Sequence, residues 1–343
     1  MKINAKDIAR QLNISPSAVS MALNNRPGIS KETRQMVLDA AVEMGYQKPT
    51  KVISEVSRKF IQLIIYKKHG DVVSDTPFFA ELTQGIDAQT KKCGYSLIIN
   101  YFYKHQNISE QLYSIMSSKS DGIILLATEM ESSDLDYFSS LNIPVVVLDN
   151  YFPEYDYNCV VINNFQGALK SVSYLYQSGH TDIGYLSSKV AINNFRERMQ
   201  GYKTAMRSIV GEKGDLEDRI VKISPTSESA YNDMIQYLSG VRDLPTAFFA
   251  DNDIIAVSCI KALTGKGYRV PEDVSVIGLD DVPIAKIIEP ALTTMAVPKA
   301  QFGMLAVNRL ISMIQDDAQE IIKIELSTKL VIRNSVANRT GGS

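Results

Sequence analysis

Residues 5–24, AKDIARQLNISPSAVSMALN, read as two short amphipathic helices joined by a tight polar turn. Ile8, Ala9 and Leu12 share one face of the first helix, and Asn13 behind them tolerates the left-handed backbone that a sharp turn needs. The second helix has a defined start: Ser15 is a good N-cap, and Pro16 falls at the first helical position, where its missing N–H costs nothing. Val19, Ala22 and Leu23 return its apolar face to the same small core. A third helix is marked by Ser30 as cap, by Glu32 complementing the dipole, and by Met36, Val37, Ala40, Ala41 and Met44 at helical spacing. The three make one compact all-α bundle over residues 1–46, a helix-turn-helix headpiece.

A helix-turn-helix lays its second helix in the major groove of double-stranded DNA, so Pro16, Ser17 and Met21 are expected to face base edges. Lys6, Ser15, Ser20 and Asn24 complete the expected DNA-contacting set in this headpiece. Charge agrees. Residues 1–59 carry ten Lys and Arg against five Asp and Glu, whereas the whole chain is at −2, so the remainder stands at −7. A basic head on an acidic body is what phosphate attraction combined with solubility predicts.

The run V-S-x-A-L-N inside ISPSAVSMALNN, followed by GISKETRQMVLDAAVEMGY, closely resembles the headpiece of the lactose-repressor (LacI/GalR) family of bacterial transcription regulators. The resemblance continues through VVVLDN (145–150), VINNFQGA (161–168), SGHTDIGYLS (178–187), RMQGYKTAM (198–206), AFFADNDIIA (247–256), VPEDVSVIGLDD (270–281), PALTTM (290–295) and LVIRNSV (330–336). It implies a homodimer that reads a pseudo-palindromic operator, usually as a repressor, under the control of a small-molecule effector. Two departures stand out. Many relatives carry Arg where this chain has Met21, which offers a base only apolar contact. The segment 47–59 matches the family hinge, but Ile53 and Ser54 replace an Ala-Arg pair and Val56 stands at the position of a minor-groove Leu wedge. Insertion by Val56 and a plain tether with Lys51, Arg58 and Lys59 on phosphates are the two readings of that segment.

From about residue 60 the pattern becomes α/β. Short β-rich runs at 60–66, 95–102, 121–127 and 143–149 alternate with helical stretches at 78–93 and 107–118. A second series at 183–187, 219–223, 246–250 and 273–279 alternates with helices near 164–178, 194–209, 228–239 and 252–266. This predicts two doubly wound parallel sheets, a two-lobed body like that of periplasmic binding proteins. The first lobe is expected to take 60–161 plus 293–322, and the second 162–292 plus 323–338.

In such sheets ligands collect beyond the carboxyl ends of the strands, and two facing lobes make a cleft there. Asp149 closes VVVLD, Asp280 closes VIGLD, and Asn252 and Asp253 follow TAFFA at a helix start. Arg198 lies on the first turns of the helix leading into Gly201-Tyr202, and Phe78 and Phe79 open the helix after the first strand of the body. Aromatic rings beside carboxylate, amide and guanidinium groups are the inventory that recognises sugar hydroxyls. The resemblance implies ligand contact at Phe79, Asp149, Arg198, Asn252 and Asp280. Phe78 joins them as a candidate effector contact. Asp149 has the alternative of tying down a neighbouring loop, Phe78 and Phe79 that of packing as core, and Asp253 reads as a structural helix cap. Purine-binding relatives place Arg six residues before the position of Arg198, where this chain has Ile192; that favours a sugar or sugar phosphate as effector.

Other chemistry has little support. Cys93, Cys159 and Cys259 are odd in number and widely spaced, so neither a disulfide framework nor a metal site is expected. No phosphate loop or nucleophile elbow occurs, no cofactor is called for, and His180 in its Gly-His-Thr turn reads as structural. The start of the chain is unlike a signal sequence, no run has the length of a membrane span, and no leucine heptads follow residue 338, so a cytoplasmic regulator is expected. A solute-binding protein, which shares the two lobes, and a carbohydrate-active enzyme using Asp149 and Asp280 as a carboxylate pair are the competing classes.

Overall fold

The computed structural model describes residues 3–24, 26–46, 59–73, 77–211, 216–316 and 318–340. The chain divides into two compact units, Met1–Arg58 and Lys59–Ser343. Val56, Lys51 and Arg58 of the expected hinge contacts lie outside the described residues, and Lys59 opens the second unit.

The first unit holds helices α1 (Ala5–Gln11), α2 (Pro16–Leu23) and α3 (Lys31–Glu43). Asn4 opens α1 with a capping box closed by Asp7, Asn13 turns the chain at φ +51°, and the Ser15 hydroxyl accepts from the Ala18 amide to start α2. Ile8, Ala9, Val19, Ala22, Val37, Ala40 and Ala41 form the core. Met36, expected among them, is 43 % exposed; the adjoining Val37 takes the inward position. Arg34 secures the end of α2 by donating to the backbone oxygens of Met21, Ala22 and Arg26 at 3.3, 3.3 and 2.5 Å. A cation on orphan carbonyls is the standard remedy for a helix C-terminus.

The second unit contains two six-stranded sheets. The first is assembled from β1 (Phe60–Lys67), β2 (Ser96–Tyr103), β3 (Gly122–Leu126), β4 (Val145–Leu148) and β5 (Asn158–Ile162), with helices α4 (Pro77–Lys92) and α5 (Ile108–Ser117) in the connections. After α6 (Asn164–Gln177) the second sheet takes β6 (Ile183–Ser188), β7 (Ile220–Ile223), β8 (Ala247–Ala250) and β9 (Ser275–Asp280). Its connecting helices are α7 (Asn193–Val210), α8 (Ser227–Gly240), α9 (Asp253–Gly265) and the short α10 (Ile284–Ile287). The remaining elements are β10 (Thr293–Ala296), α11 (Lys299–Gln315), β11 (Lys323–Leu326) and β12 (Lys329–Val331).

Strand order is β11-β5-β4-β3-β1-β2 in one sheet and β12-β10-β9-β8-β6-β7 in the other. Among the described residues every pairing is parallel except β10 with β12. Buried runs such as the whole of β3, β4 and β8 are what a parallel sheet covered on both faces requires. Each sheet reverses its winding beside its first strand, so both place their crevice at the carboxyl ends of the strands, where ligands bind in open α/β sheets.

The lobe boundaries differ from the sequence expectation at two strands. Thr293–Ala296, expected in the first lobe, pairs with β9 in the second sheet, and Lys323–Leu326, expected in the second, pairs with β5 in the first. The chain therefore crosses between lobes after β5, after β10 and between β11 and β12. Periodicity marks a strand but not its neighbours, which is why these two were exchanged. Near the crossing Gly85 lets α4 meet α11 closely, since an added Cβ would lie 2.3 Å from the Ala300 carbonyl oxygen.

Candidate functional site

The cleft between the lobes collects residues from the carboxyl ends of strands in both sheets, around a narrow cavity of about 40 Å³. Phe78, Phe79, Asp149, Arg198, Asn252 and Asp280, the residues expected there, all line it. Thr128 and Asn194 add polar groups that sequence reasoning missed, and Val72, Ile192, Phe195 and Val282 add apolar walls.

Asp149 follows β4 at φ +67° and Asp280 ends β9 at φ +127°. An L residue holds such a backbone at a cost of about 1–3 kcal/mol, so these two carboxylates are aimed by strain that the packing around them sustains. Asp149 is buried and both its oxygens are engaged: Thr128 Oγ1 donates to Oδ2 at 2.6 Å and Asn194 Nδ2 to Oδ1 at 3.0 Å. Thr128 belongs to the first lobe and Asn194 to the second, so Asp149 ties the lobes together as well as facing the cleft. Burial raises its pKa to about 6 against the lowering effect of Thr128, Arg198 and Asn194.

Arg198 is 4 % exposed. Its Nε donates to Asn164 Oδ1 at 2.9 Å, its Nη1 donates to the Asp251 carbonyl oxygen, and its Nη2 stands 3.7 Å from Asp280 Oδ1. The Phe195 ring lies 5.4 Å from the guanidinium carbon. Asp251 is itself held from behind by the Tyr185 hydroxyl and the Ser188 amide, with burial raising its pKa to about 6. Asp280 is raised too: burial is the largest cause, the Arg198 charge opposes it, and Asp253 adds to it.

Asn252, not Asp253, caps α9, its Oδ1 accepting from the Ile255 amide at 2.9 Å. The Asp253 carboxylate instead accepts from Thr294 Oγ1 at 2.6 Å and the Val282 amide at 2.9 Å, fastening the Asp280 loop to β10. Glycine is required at position 278 beside it, where a Cβ would stand 2.3 Å from Asp253 Oδ1. Phe78 is 6 % exposed and packs in the first-lobe core, while Phe79 is only partly buried; their rings meet edge to face at 5.1 Å. Phe79 thus offers the cleft its wall and Phe78 supports it.

The loop after β1 has an organiser that no sequence pattern announced. Glu129, buried at the end of β3, accepts from the amides of Lys68, His69 and Gly70 on Oε2 at 3.0, 3.2 and 2.8 Å, and from Val72 and Val73 on Oε1 at 3.0 and 3.3 Å. Val72 from this loop packs against Ile192 and Phe195 of the other lobe. His180, by contrast, is structural: its ring nitrogens bond Thr246 Oγ1 and the Ala337 carbonyl oxygen, and burial lowers its pKa. Thr128 was within reach of the sequence, standing two residues beyond β3; so was Asn194, one helical turn before Arg198.

Stability should report the Asp149 carboxyl directly. A carboxyl whose folded pKa is raised binds its proton more tightly when folded, so its contribution is present at low pH and is lost as pH climbs from 3.8 to about 6. Asp149→Asn is expected to flatten that part of the pH dependence, read as urea midpoints across the interval; an unaltered slope would show that the group titrates normally.

In the headpiece, Lys6, Ser15, Pro16, Ser17, Ser20 and Asn24 are exposed, and Met21 is partly buried, with its Sδ 3.4 Å from where a Cβ on Gly28 would sit. Ser15 and Ser17 share a hydroxyl hydrogen bond of 2.9 Å, and Asn24 Nδ2 donates to the Ser20 carbonyl oxygen. The polar face offered by α2 is thus Ser17, Ser20 and Asn24, with Met21 half withdrawn behind it. Among the described residues no helix is long and apolar enough to cross a membrane, and no group of three or more His, Cys, Asp or Glu is placed to hold a metal ion.

Comparison with known proteins agrees with both units. Residues 4–48 match the model of bacterial regulatory proteins of the lacI family, and residues 172–336 that of a periplasmic binding protein-like domain. The HTH-type transcriptional repressor PurR of Mannheimia succiniciproducens is 32 % identical over 335 residues, covering 96 % of this chain and 98 % of its own. Its counterpart from Pasteurella multocida is 31 % identical over 339 residues, 97 % and 98 % of the two chains. Among solved structures, the transcriptional regulator CelR in complex with cellobiose superposes with a TM-score of 0.72 at 24 % identity, over 97 % of this chain and all of that one. The lac repressor dimer bound to operator and the anti-inducer ONPF gives 0.70 at 20 % identity, over 98 % and 100 %. A LacI family regulator from Enterococcus faecium with bound ribose gives 0.70 at 24 %, over 82 % and 99 %. Such relatives are regulators and not enzymes, and a helix-turn-helix unit joined in one chain to a two-lobed unit with a polar cleft agrees with them: this chain belongs to the lacI family and is a DNA-binding transcriptional repressor.

Proposed function

We propose that this repressor acts in the cytoplasm as a homodimer, reads a pseudo-palindromic operator through Ser17, Met21 and their neighbours on α2, and is controlled by a neutral, hydroxyl-rich effector of the sugar class held in the interlobe cleft. The observation that carries the effector reading is the meeting of the Phe79 ring with Asp149, Arg198, Asn252 and Asp280 in one cavity. Rings stack on the C–H face of a sugar while charged groups take its hydroxyls. Two carboxylates against one guanidinium leave no surplus positive charge for a phosphate, which favours a neutral sugar over a sugar phosphate. Ile192, aliphatic and on the cleft wall, argues against a purine. CelR and the E. faecium regulator, both of this fold, were solved with cellobiose and with ribose.

Lobe angle is the coordinate an effector shifts, and it does so only by its differential affinity for the two arrangements, typically about 1–3 kcal/mol, or 5- to 150-fold in operator affinity. Dimerisation has a candidate face in the first lobe. Strand β2 is at a sheet edge and exposes Ile99, Tyr101 and Tyr103, with Tyr113 and Met116 exposed on α5. An edge strand of this length with so much exposed apolar surface calls for a partner.

Thermal unfolding of the full chain with neutral mono- and disaccharides, their phosphates and purine bases tests the effector class. A neutral sugar at about 100 times its Kd should stabilise by about 3 kcal/mol and alter operator affinity; stabilisation confined to phosphates or purines would reverse the assignment. Selection from random duplexes tests the other half. It should return a two-fold symmetric site whose half-site ranking changes in Ser17→Ala while sugar binding stays the same, and an unchanged ranking would mean that a different face reads the bases.

A further inference from the structure

Lys299, the first residue of α11, is only 5 % exposed, an expensive place for an ammonium group unless acceptors surround it. Its Nζ donates to the backbone oxygens of Asp280 at 2.8 Å and Asp281 at 3.0 Å, and stands 3.5 Å from Oε2 of Glu81. Asp280 and Asp281 are consecutive residues with positive φ, +127° and +54°, so this turn needs external support. Glu81 lies on α4, three residues beyond Phe78. Helices α4 and α11 pack in the first lobe, whereas the turn ends β9 of the second. One ammonium group thus joins the helix that carries the aromatic wall to the turn that aims a cleft carboxylate.

We propose that Lys299 is a positioning residue, which fixes Asp280 in its cleft orientation and registers that turn against α4; its bearing on effector binding rests on the cleft being the effector site. Several charged groups act electrostatically on the Asp280 carboxylate, Arg198 directly at 3.7 Å. They are Arg198 from α7, Asp253 from the head of α9, Asp149 from the end of β4, and Lys299 itself. Asp281 is separately paired with Arg333 at 2.5 Å and approached by Lys286 at 3.9 Å, so the Lys299 ammonium is not diverted to its side chain. Without Lys299, Arg198 alone offsets three neighbouring carboxyls, and the two carbonyls of the turn lose their donor.

The test needs no ligand. Full-length protein labelled with 13C at the aspartate carboxyls is titrated, with the Asp280 resonance assigned through Asp280→Asn. Lys299→Met should move the Asp280 midpoint upward by about 1 pH unit, and Lys299→Arg should restore it. Amide exchange across 278–283 and 77–84 should quicken about tenfold together in Lys299→Met. A role in packing alone would change exchange without moving the midpoint. Lys299→Gln, which keeps a donor but drops the charge, carries the same titration should the methionine variant not fold. An unmoved midpoint in either neutral variant, or exchange that quickens in one segment only, overturns the proposal. Failure of every sugar to bind would overturn the effector reading and leave this one standing.

Discussion

Alanine in place of Arg198 is expected to abolish the response to effector while leaving operator binding within about twofold. The guanidinium is almost fully enclosed, and each of its nitrogens has a protein acceptor or counter-charge: Asn164, the Asp251 carbonyl and Asp280. Removing one member of a buried charged pair typically costs about 3–5 kcal/mol, because the partner is left uncompensated. If the ligand relies on the same guanidinium, a comparable loss in effector affinity would be about 150- to 4,000-fold, with no change expected in a headpiece that folds as a separate unit. Calorimetric titration beside an operator gel-shift assay would measure both. Effector affinity within tenfold of the parent would show that Arg198 supports the second lobe and does not touch the ligand. Lysine at 198 should recover little, since one ammonium cannot reach three acceptors that a planar fork serves together.

The second large effect is expected at Glu129. Five amides of one loop converge on its two carboxylate oxygens, and those of Gly70, Val72 and Val73 are buried. Glu129→Ala leaves them without acceptors at about 1–3 kcal/mol for each that water does not reach. A net loss of about 3–5 kcal/mol follows if the outer amides rehydrate, lowering Tm by about 10 °C in a unit of this size. Glu129→Gln, which keeps one acceptor oxygen, should lose less than half as much. Since Val72 is carried on that loop and meets Ile192 and Phe195 across the cleft, the alanine variant should also weaken effector binding by about tenfold. Equal melting temperatures for the two variants and the parent would mean that the loop holds its shape unaided.

Legibility in the sequence followed the range of the interactions. The headpiece was readable apart from the exposed Met36, because caps, a left-handed Asn and a helical apolar stripe act within a few positions of one another, as Asn13, Ser15 and Pro16 show. Of the strand-end residues singled out in the body, Asp149, Asn252 and Asp280 line the cleft and Asp253 does not, since a parallel sheet fixes where its carboxyl ends go but not which side chain turns inward. What escaped depends on contacts distant in the chain. Arg198 is oriented by Asn164 and Asp251, 34 and 53 positions away, and Glu129 gathers amides some 60 residues before it. The exchange of Asn252 for Asp253 as helix cap has the same origin, because Thr294 and the Val282 amide claim Asp253. A polar residue in a sequence does not say which of its neighbours will reach it first.

The exchange of the two late strands bears on how the molecule comes into being. Strand β11 finishes the first sheet and strand β12 the second, and both are supplied by residues 323–331. During synthesis neither sheet can complete its edge until residues 323–331 have left the ribosome, so the two borders are finished together. Cutting the gene after β5 would deprive the first fragment of its border strand β11 and leave that strand unpaired on the second, while a stop codon near 320 would remove a border strand from both sheets at once.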